Sequence, residues 1–174
     1  MKVMHADAEA RYELIRTEAL KATQELLEAE GISIKVTGIS PTALTHSMLW
    51  SKSIHRKVDW NWFEAYGEFK FQNPKRFEIA LWYKAQLISL SMGKPTYAGT
   101  ALRLDFIEAS PRDLTPDRPD VFEATAYGYF IYAQMLGAKQ IRIMHPINEK
   151  VRNYYESFGY TYVKGGDYLY LEVI

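Results

Sequence analysis

Residues 121–160, VFEATAYGYFIYAQMLGAKQIRIMHPINEKVRNYYESFGY, carry the pattern that decides the fold. Val121 to Leu136 is apolar almost all round, which predicts a helix buried against a sheet, and Gly137 stops it. Lys139 to Met144 reads as a strand. Asn148 to Phe158 reads as an amphipathic helix ended by Gly159. Downstream, Tyr160 to Val163 and Tyr168 to Val173 form a hairpin turned at Lys164-Gly165-Gly166-Asp167. There the glycines supply a turn and are no phosphate loop.

Upstream of this stretch, a polar, proline-punctuated loop runs from Pro111 to Pro119. Before it come three strands in quick succession: Phe77 to Tyr83, Leu87 to Met92 and Ala98 to Ala109. They are separated by Lys84-Ala85-Gln86 and Gly93-Lys94-Pro95, the punctuation of an antiparallel meander. Ile32 to Ile39 reads as a further strand ending at Ser40-Pro41. Trp60, Phe63 and Tyr66, at helical spacing, predict one or two short helices between Thr42 and Phe71, broken by Asn73-Pro74. At the N-terminal end, Ala8, Tyr12, Ile15, Ala19, Ala22, Leu26 and Ala29 define an amphipathic helix with Asp7 as its cap and Gly31 after its end. That helix either lies on the domain or contributes to a homodimer. A meander joined to β-α-β crossovers implies an α/β sheet with parallel and antiparallel neighbours.

Composition narrows the functional classes. Lysine plus arginine equals aspartate plus glutamate at 21 each, so no net field draws the whole protein to nucleic acid or an anionic membrane. Cysteine is absent, which removes disulfides, thiolate zinc sites and a cysteine nucleophile. The four histidines show no i, i+4 pairing, so no metal is expected, and no Gly-x-Ser-x-Gly elbow signals a serine hydrolase. The first sixteen residues have no secretory h-region, and no run of eighteen apolar residues occurs, so the expectation is a soluble cytoplasmic protein.

From Asn148, the chain places Val151, Tyr154, Tyr155, Gly159 and Tyr160 at intervals of three, six, seven, eleven and twelve residues. With Leu136-Gly137-Ala138 and Ile141-Arg142-Ile143 before it, this segment resembles the GNAT superfamily of acyl-CoA N-acyltransferases over Phe77 to Ile174. The resemblance implies one α/β domain, a GNAT-like mixed sheet flanked by helices with an extra N-terminal helix. Its parts are residues 1–31 as that helix, 32–75 as a variable acceptor-side region and 76–174 as the acyltransferase-like core. It further implies transfer of an acyl group from acyl-CoA, acetyl-CoA in the first instance, to an amine on a small molecule or protein. Tyr155 is then the donor to the coenzyme sulfur and Glu108 the candidate base. Ile107, Ala109, Arg112, Arg118 and Asn148 would hold the coenzyme.

One segment departs from the family pattern. The family's diphosphate loop is glycine-rich, whereas the corresponding Asp117-Arg118-Pro119-Asp120-Val121-Phe122 has no glycine, and Pro119 removes an N–H donor. Asp120 and Glu123 read as a capping box that would occupy the helix N–H groups, and Glu108 to Glu123 counts five acids against two bases. The alternative expectation is therefore a non-catalytic interaction or regulatory protein on the same scaffold. Lys52, His55, Arg56 and Lys57 beside Trp50, Trp60 and Trp62 could serve such a partner, nucleic acid included, although a solvated turn beside core tryptophans is the more ordinary reading.

Overall fold

The computed structural model describes residues 2–174. The chain folds into one seven-stranded sheet with helices on both faces. In chain order the elements are α1 (Lys2–Ala29), β1 (Lys35–Thr37), α2 (Pro41–Ser47), a 3-10 turn (Met48–Lys52), α3 (Trp62–Gln72), β2 (Phe77–Tyr83), β3 (Gln86–Pro95) and β4 (Ala101–Ala109). They continue with α4 (Phe122–Leu136), β5 (Gln140–Met144), α5 (Glu149–Glu156), β6 (Thr161–Val163) and β7 (Tyr168–Glu172). The sheet runs β1-β2-β3-β4-β5-β7-β6, and β4 with β5 is its one parallel pair. This is the mixed sheet that the element order implies.

Each face of the sheet has its own core. On one face α1 and α4 pack over Phe77, Ile79, Leu81, Leu102, Leu104 and Ile141. On the other, Trp50, Trp62, Tyr66 and Phe69 cover Ala80, Leu87, Leu90 and Met92. Among the described residues no helix is long and apolar enough to cross a membrane.

Several sequence expectations are corrected. α1 begins at Lys2, not after Asp7, because no breaker precedes Asp7, which lies exposed within the helix. Its most buried line is Arg16, Ala19, Thr23 and Leu27. Polar residues enter that line because each finds partners: the Thr23 hydroxyl donates to the Ala19 carbonyl at 2.7 Å, and the Arg16 guanidinium donates to Pro74 O and Glu9. α3 starts at Trp62, with the Asn61 side chain accepting from the Phe63 and Glu64 N–H groups. Its buried stripe is therefore Trp62, Tyr66 and Phe69, and Trp60 precedes the helix. β1 shrinks to three residues at the sheet edge, and Gly93-Lys94-Pro95 continues β3 instead of ending it. The chain reverses at Thr96–Thr100, where Gly99 takes a φ of +73°.

A bulge in β4 positions everything that follows. Met92 pairs with Phe106 and Gly93 with Leu104, so Asp105 is an extra residue. Simple alternation would put Leu104, Phe106 and Glu108 on one face. Instead Leu104 faces the α4 core, Phe106 packs against the α3 core, and Glu108 reaches Trp62 of α3. Ile107 and Ala109 are turned to the α4 side. Gly93 permits this close crossing, since a Cβ there would collide with the Arg103 carbonyl, a backbone group unable to move aside. The expected result for Gly93→Ala is a loss of roughly 3 kcal/mol in unfolding free energy, read from urea denaturation.

Candidate active site

The parallel pairing of β4 with β5 covers only Ala101–Leu104 against Gln140–Ile143. Beyond it β4 continues to Ala109 with that edge unpaired, while β5 ends at Met144 and the chain turns away through His145, held by its N–H to Asp167 O at 2.9 Å. The two strands thus part, and cavities open on both faces of the gap. On the α4 side lies a cleft of about 380 Å³ lined by Ile107, Ala109, Phe122, Val151 and Tyr155. On the α3 side lies one of about 420 Å³ lined by His55, Val58, Glu108 and Ile147. Lys57, Ile107, Ala109, Arg112 and Arg118 border both, so the two cavities adjoin across the gap and together form the candidate passage. A larger open hollow, about 1120 Å³, lies beside β1 at the far edge of the sheet. It lacks the uncapped helix end and unpaired phenol described next, and its size alone does not make it the site.

Tyr155 enters the α4-side cleft from α5. Asn148 caps that helix, its side chain accepting from the Val151 N–H at 2.9 Å, and borders the same cleft. The Tyr155 ring is buried against Phe122, with centroids 4.8 Å apart, within a cluster that includes Tyr154, Phe158 and Tyr160. Its hydroxyl makes no hydrogen bond among the described residues, and burial pushes the phenol up to about 12, so it stays protonated at ordinary pH.

The segment that departs from the glycine loop is arranged differently from the sequence expectation. Asp120 does not cap α4. Val121 is the N-cap residue and no side chain bonds the first turn, so the helix N–H groups at Phe122 are open beside the cleft. Asp120 accepts from Arg112 at 3.0 Å instead, and Glu123 accepts the Tyr127 hydroxyl at 2.9 Å. The remaining acids of the segment are also engaged: Asp113 accepts from Ser53, Asp117 lies 3.7 Å from Lys84, and Glu108 is held by Arg56. The cleft itself is lined by Lys57, Arg112, Arg118 and Lys150 against Asp120 alone, so its local charge is positive. Counting charges along the chain missed this because Lys57 and Lys150 arrive from other elements.

Arg118 is anchored by Nε to Ser110 O at 2.8 Å and by Nη1 to Pro119 O at 3.2 Å, leaving Nη2 without a partner among the described residues. Burial, with the charge of Arg112, holds its pKa below the ordinary arginine value. Lys57 and Lys150 form no ion pair among the described residues.

Glu108 faces the other mouth and is buried. It accepts from Arg56 Nε at 2.9 Å, Arg56 Nη2 at 3.1 Å and Trp62 Nε1 at 2.8 Å. The Arg56 guanidinium also donates to Trp60 O at 2.7 Å, tying the 56–62 loop to β4. The basic run at 52–57 is therefore not uniformly solvated, since Arg56 is committed inward.

No protein-family model matches the chain, and no curated protein matches its sequence. Solved structures do share its fold. It is similar to a putative acetyltransferase of the GNAT family from Desulfovibrio desulfuricans at a TM-score of 0.60 and 14% identity, covering 81% of this chain and 99% of that one. It is similar to the ribosomal-protein-S18-alanine N-acetyltransferase from Escherichia coli at 0.57 and 12%, covering 80% and 94%. An aminoglycoside 6'-N-acetyltransferase complexed with coenzyme A matches at 0.56 and 14%, covering 80% and 97%.

Proposed function

We propose that this chain, which has the fold of the GNAT acetyltransferases, moves an acyl group, acetyl in the first instance, from acyl-CoA to an amine. The observation that carries the reading is the unpartnered Tyr155 hydroxyl in a cleft where two parallel strands part beside an uncapped helix end. The residues present fit the coenzyme. Arg118, Lys150 and the free N–H groups suit its diphosphate, and the unpaired edge of β4 at Ile107 and Ala109 offers backbone groups to an amide-bearing arm.

In this reading the amine nitrogen bonds to the thioester carbonyl carbon and the carbon–sulfur bond breaks. Tyr155 donates a hydrogen bond, and finally a proton, to the leaving sulfur, and its phenoxide takes a proton back from solvent. Glu108 is better suited to positioning than to proton abstraction, because three N–H donors already occupy its oxygens. The amine loses its proton to water at the open mouth of the passage. Pro119 and the missing glycines favour a second reading, a non-catalytic module on this scaffold.

Calorimetry separates the two. Acetyl-CoA is expected to bind, and Lys150→Ala with Arg118→Gln to weaken it by about tenfold together, the difference shrinking at high salt. Absence of heat at millimolar ligand would favour the non-catalytic module.

A further inference from the structure

The α3-side mouth of the passage has a charge that selects its occupant. Arg56, Lys57, Arg112 and Arg118 line it against Glu108 as the only acid. Arg56 offsets Glu108, and Arg112 and Arg118 are shared with the α4-side cleft, so Lys57 carries the mouth's excess positive charge. The single carboxylate cannot attract a cation from solvent, because Arg56 covers both of its oxygens. Arg112 and Arg118 are tied to the α4 side by their bonds to Asp120, Arg118 O and Ser110 O. Lys57 is the cation with no such tie, and it borders both mouths from the 55–58 loop.

We infer that the acceptor entering this mouth is a small amine bearing a carboxylate or phosphate, paired with Lys57, and not a polyamine. The inference rests on the acyl-transfer reading. An amine approaching as a dication or trication would meet like charge in a partly dehydrated passage, whereas an anionic group near the amine would be steered inward and held. The volume of about 420 Å³ and the apolar walls at Val58, Pro111 and Ile147 suit a compact molecule.

The test has two stages. Acetyl-CoA binding to the full chain is measured first by calorimetry, and its absence overturns both the acyl-transfer reading and this inference. With binding shown, thiol release is followed with L-glutamate and O-phospho-L-serine, with the same amino acids after their anionic groups are blocked, and with spermidine.

The expected result is a kcat/KM, on a free-amine basis, at least about tenfold higher for the anionic amines than for their blocked forms or spermidine. The ratio of glutamate to phosphoserine tells which anion is preferred. Lys57→Ala should remove most of that advantage through KM, while changing acetyl-CoA affinity by less than about twofold. Preference for spermidine or the blocked amines overturns the inference, as does failure of every anionic amine to react. A Lys57→Ala effect confined to acetyl-CoA affinity overturns it too, since that cation would then belong to the coenzyme side.

Discussion

Tyr155→Phe is expected to lower kcat for acyl transfer by about 10²-fold while leaving acetyl-CoA affinity within about twofold. The substitution removes only the hydroxyl, which bonds nothing among the described residues, and keeps the ring against Phe122. Packing is conserved, so thermal stability should stay near the parent value, and the loss falls on the step in which sulfur leaves. Because burial holds the phenol near 12, ionisation of this donor imposes no fall in rate between pH 7 and pH 10. A kcat unchanged in Tyr155→Phe, measured under acetyl-CoA saturation, would remove Tyr155 from the chemistry. A fall in stability matching the fall in rate would assign it to packing.

The largest stability effect is expected from Arg76→Leu, at about 3–5 kcal/mol near neutral pH. Arg76, 2% exposed, bonds Glu9 of α1 at 2.8 and 3.0 Å and lies 3.6 Å from Glu78 of β2. It thereby fastens the N-terminal helix to the sheet, with Arg16 bonding the same Glu9 at 2.7 Å. Leucine would fill part of the volume but leave two carboxylates without their main cation.

The acid dependence follows from opposite shifts. Burial lifts the Glu9 carboxyl, but hydrogen bonds and charges from Arg76 and Arg16 outweigh it and hold the pKa below 4.5. Its stabilisation is present above pH 4.5 and is lost as pH falls through the lowered value. Burial pushes Glu78 up against the pull of Arg76, so its contribution is present below 4.5 and is lost as pH rises through the raised value. Removing Arg76 deletes the Glu9 gain and raises Glu78 further. The deficit of Arg76→Leu should therefore be largest near pH 7 and shrink as pH falls, first as Glu78 protonates through its raised value and then as Glu9 protonates below 4.5. Urea unfolding at pH 7 and pH 4 reads this, and a deficit independent of pH would show that packing, not charge, carries the effect.

Local chemistry explains why some of this molecule is legible from its residues alone. The α4 stretch is apolar almost all round and so packs against the sheet, and Gly137 ends it with a φ of +73°. Asn148 caps α5 through the short reach from its side chain to the Val151 N–H. The β2 limits, Phe77 to Tyr83, coincide with expectation because Pro74 and the Lys84-Ala85 turn, both residues at positive φ, bracket a run that is apolar apart from Glu78. Each of these depends on contacts within a few residues, which composition and spacing encode.

The less legible features depend on groups far apart in the chain. Asp120 with Glu123 makes a sound capping box by sequence, yet Arg112 and Tyr127 take the two carboxylates and leave the helix end open. Likewise the 108–123 segment counts as acidic, while the cleft it borders is cationic once Lys57 and Lys150 converge there.

By itself, then, the order of residues determined the alternation of strands and helices, the buried α4, the capped α5 and the tyrosine that α5 carries. The tertiary structure decided which side of β4 Glu108 occupies, because one extra residue at Asp105 reverses every side chain after it. It also decided the charge of the cleft, because an electrostatic field sums over neighbours in space and takes no account of their separation along the chain.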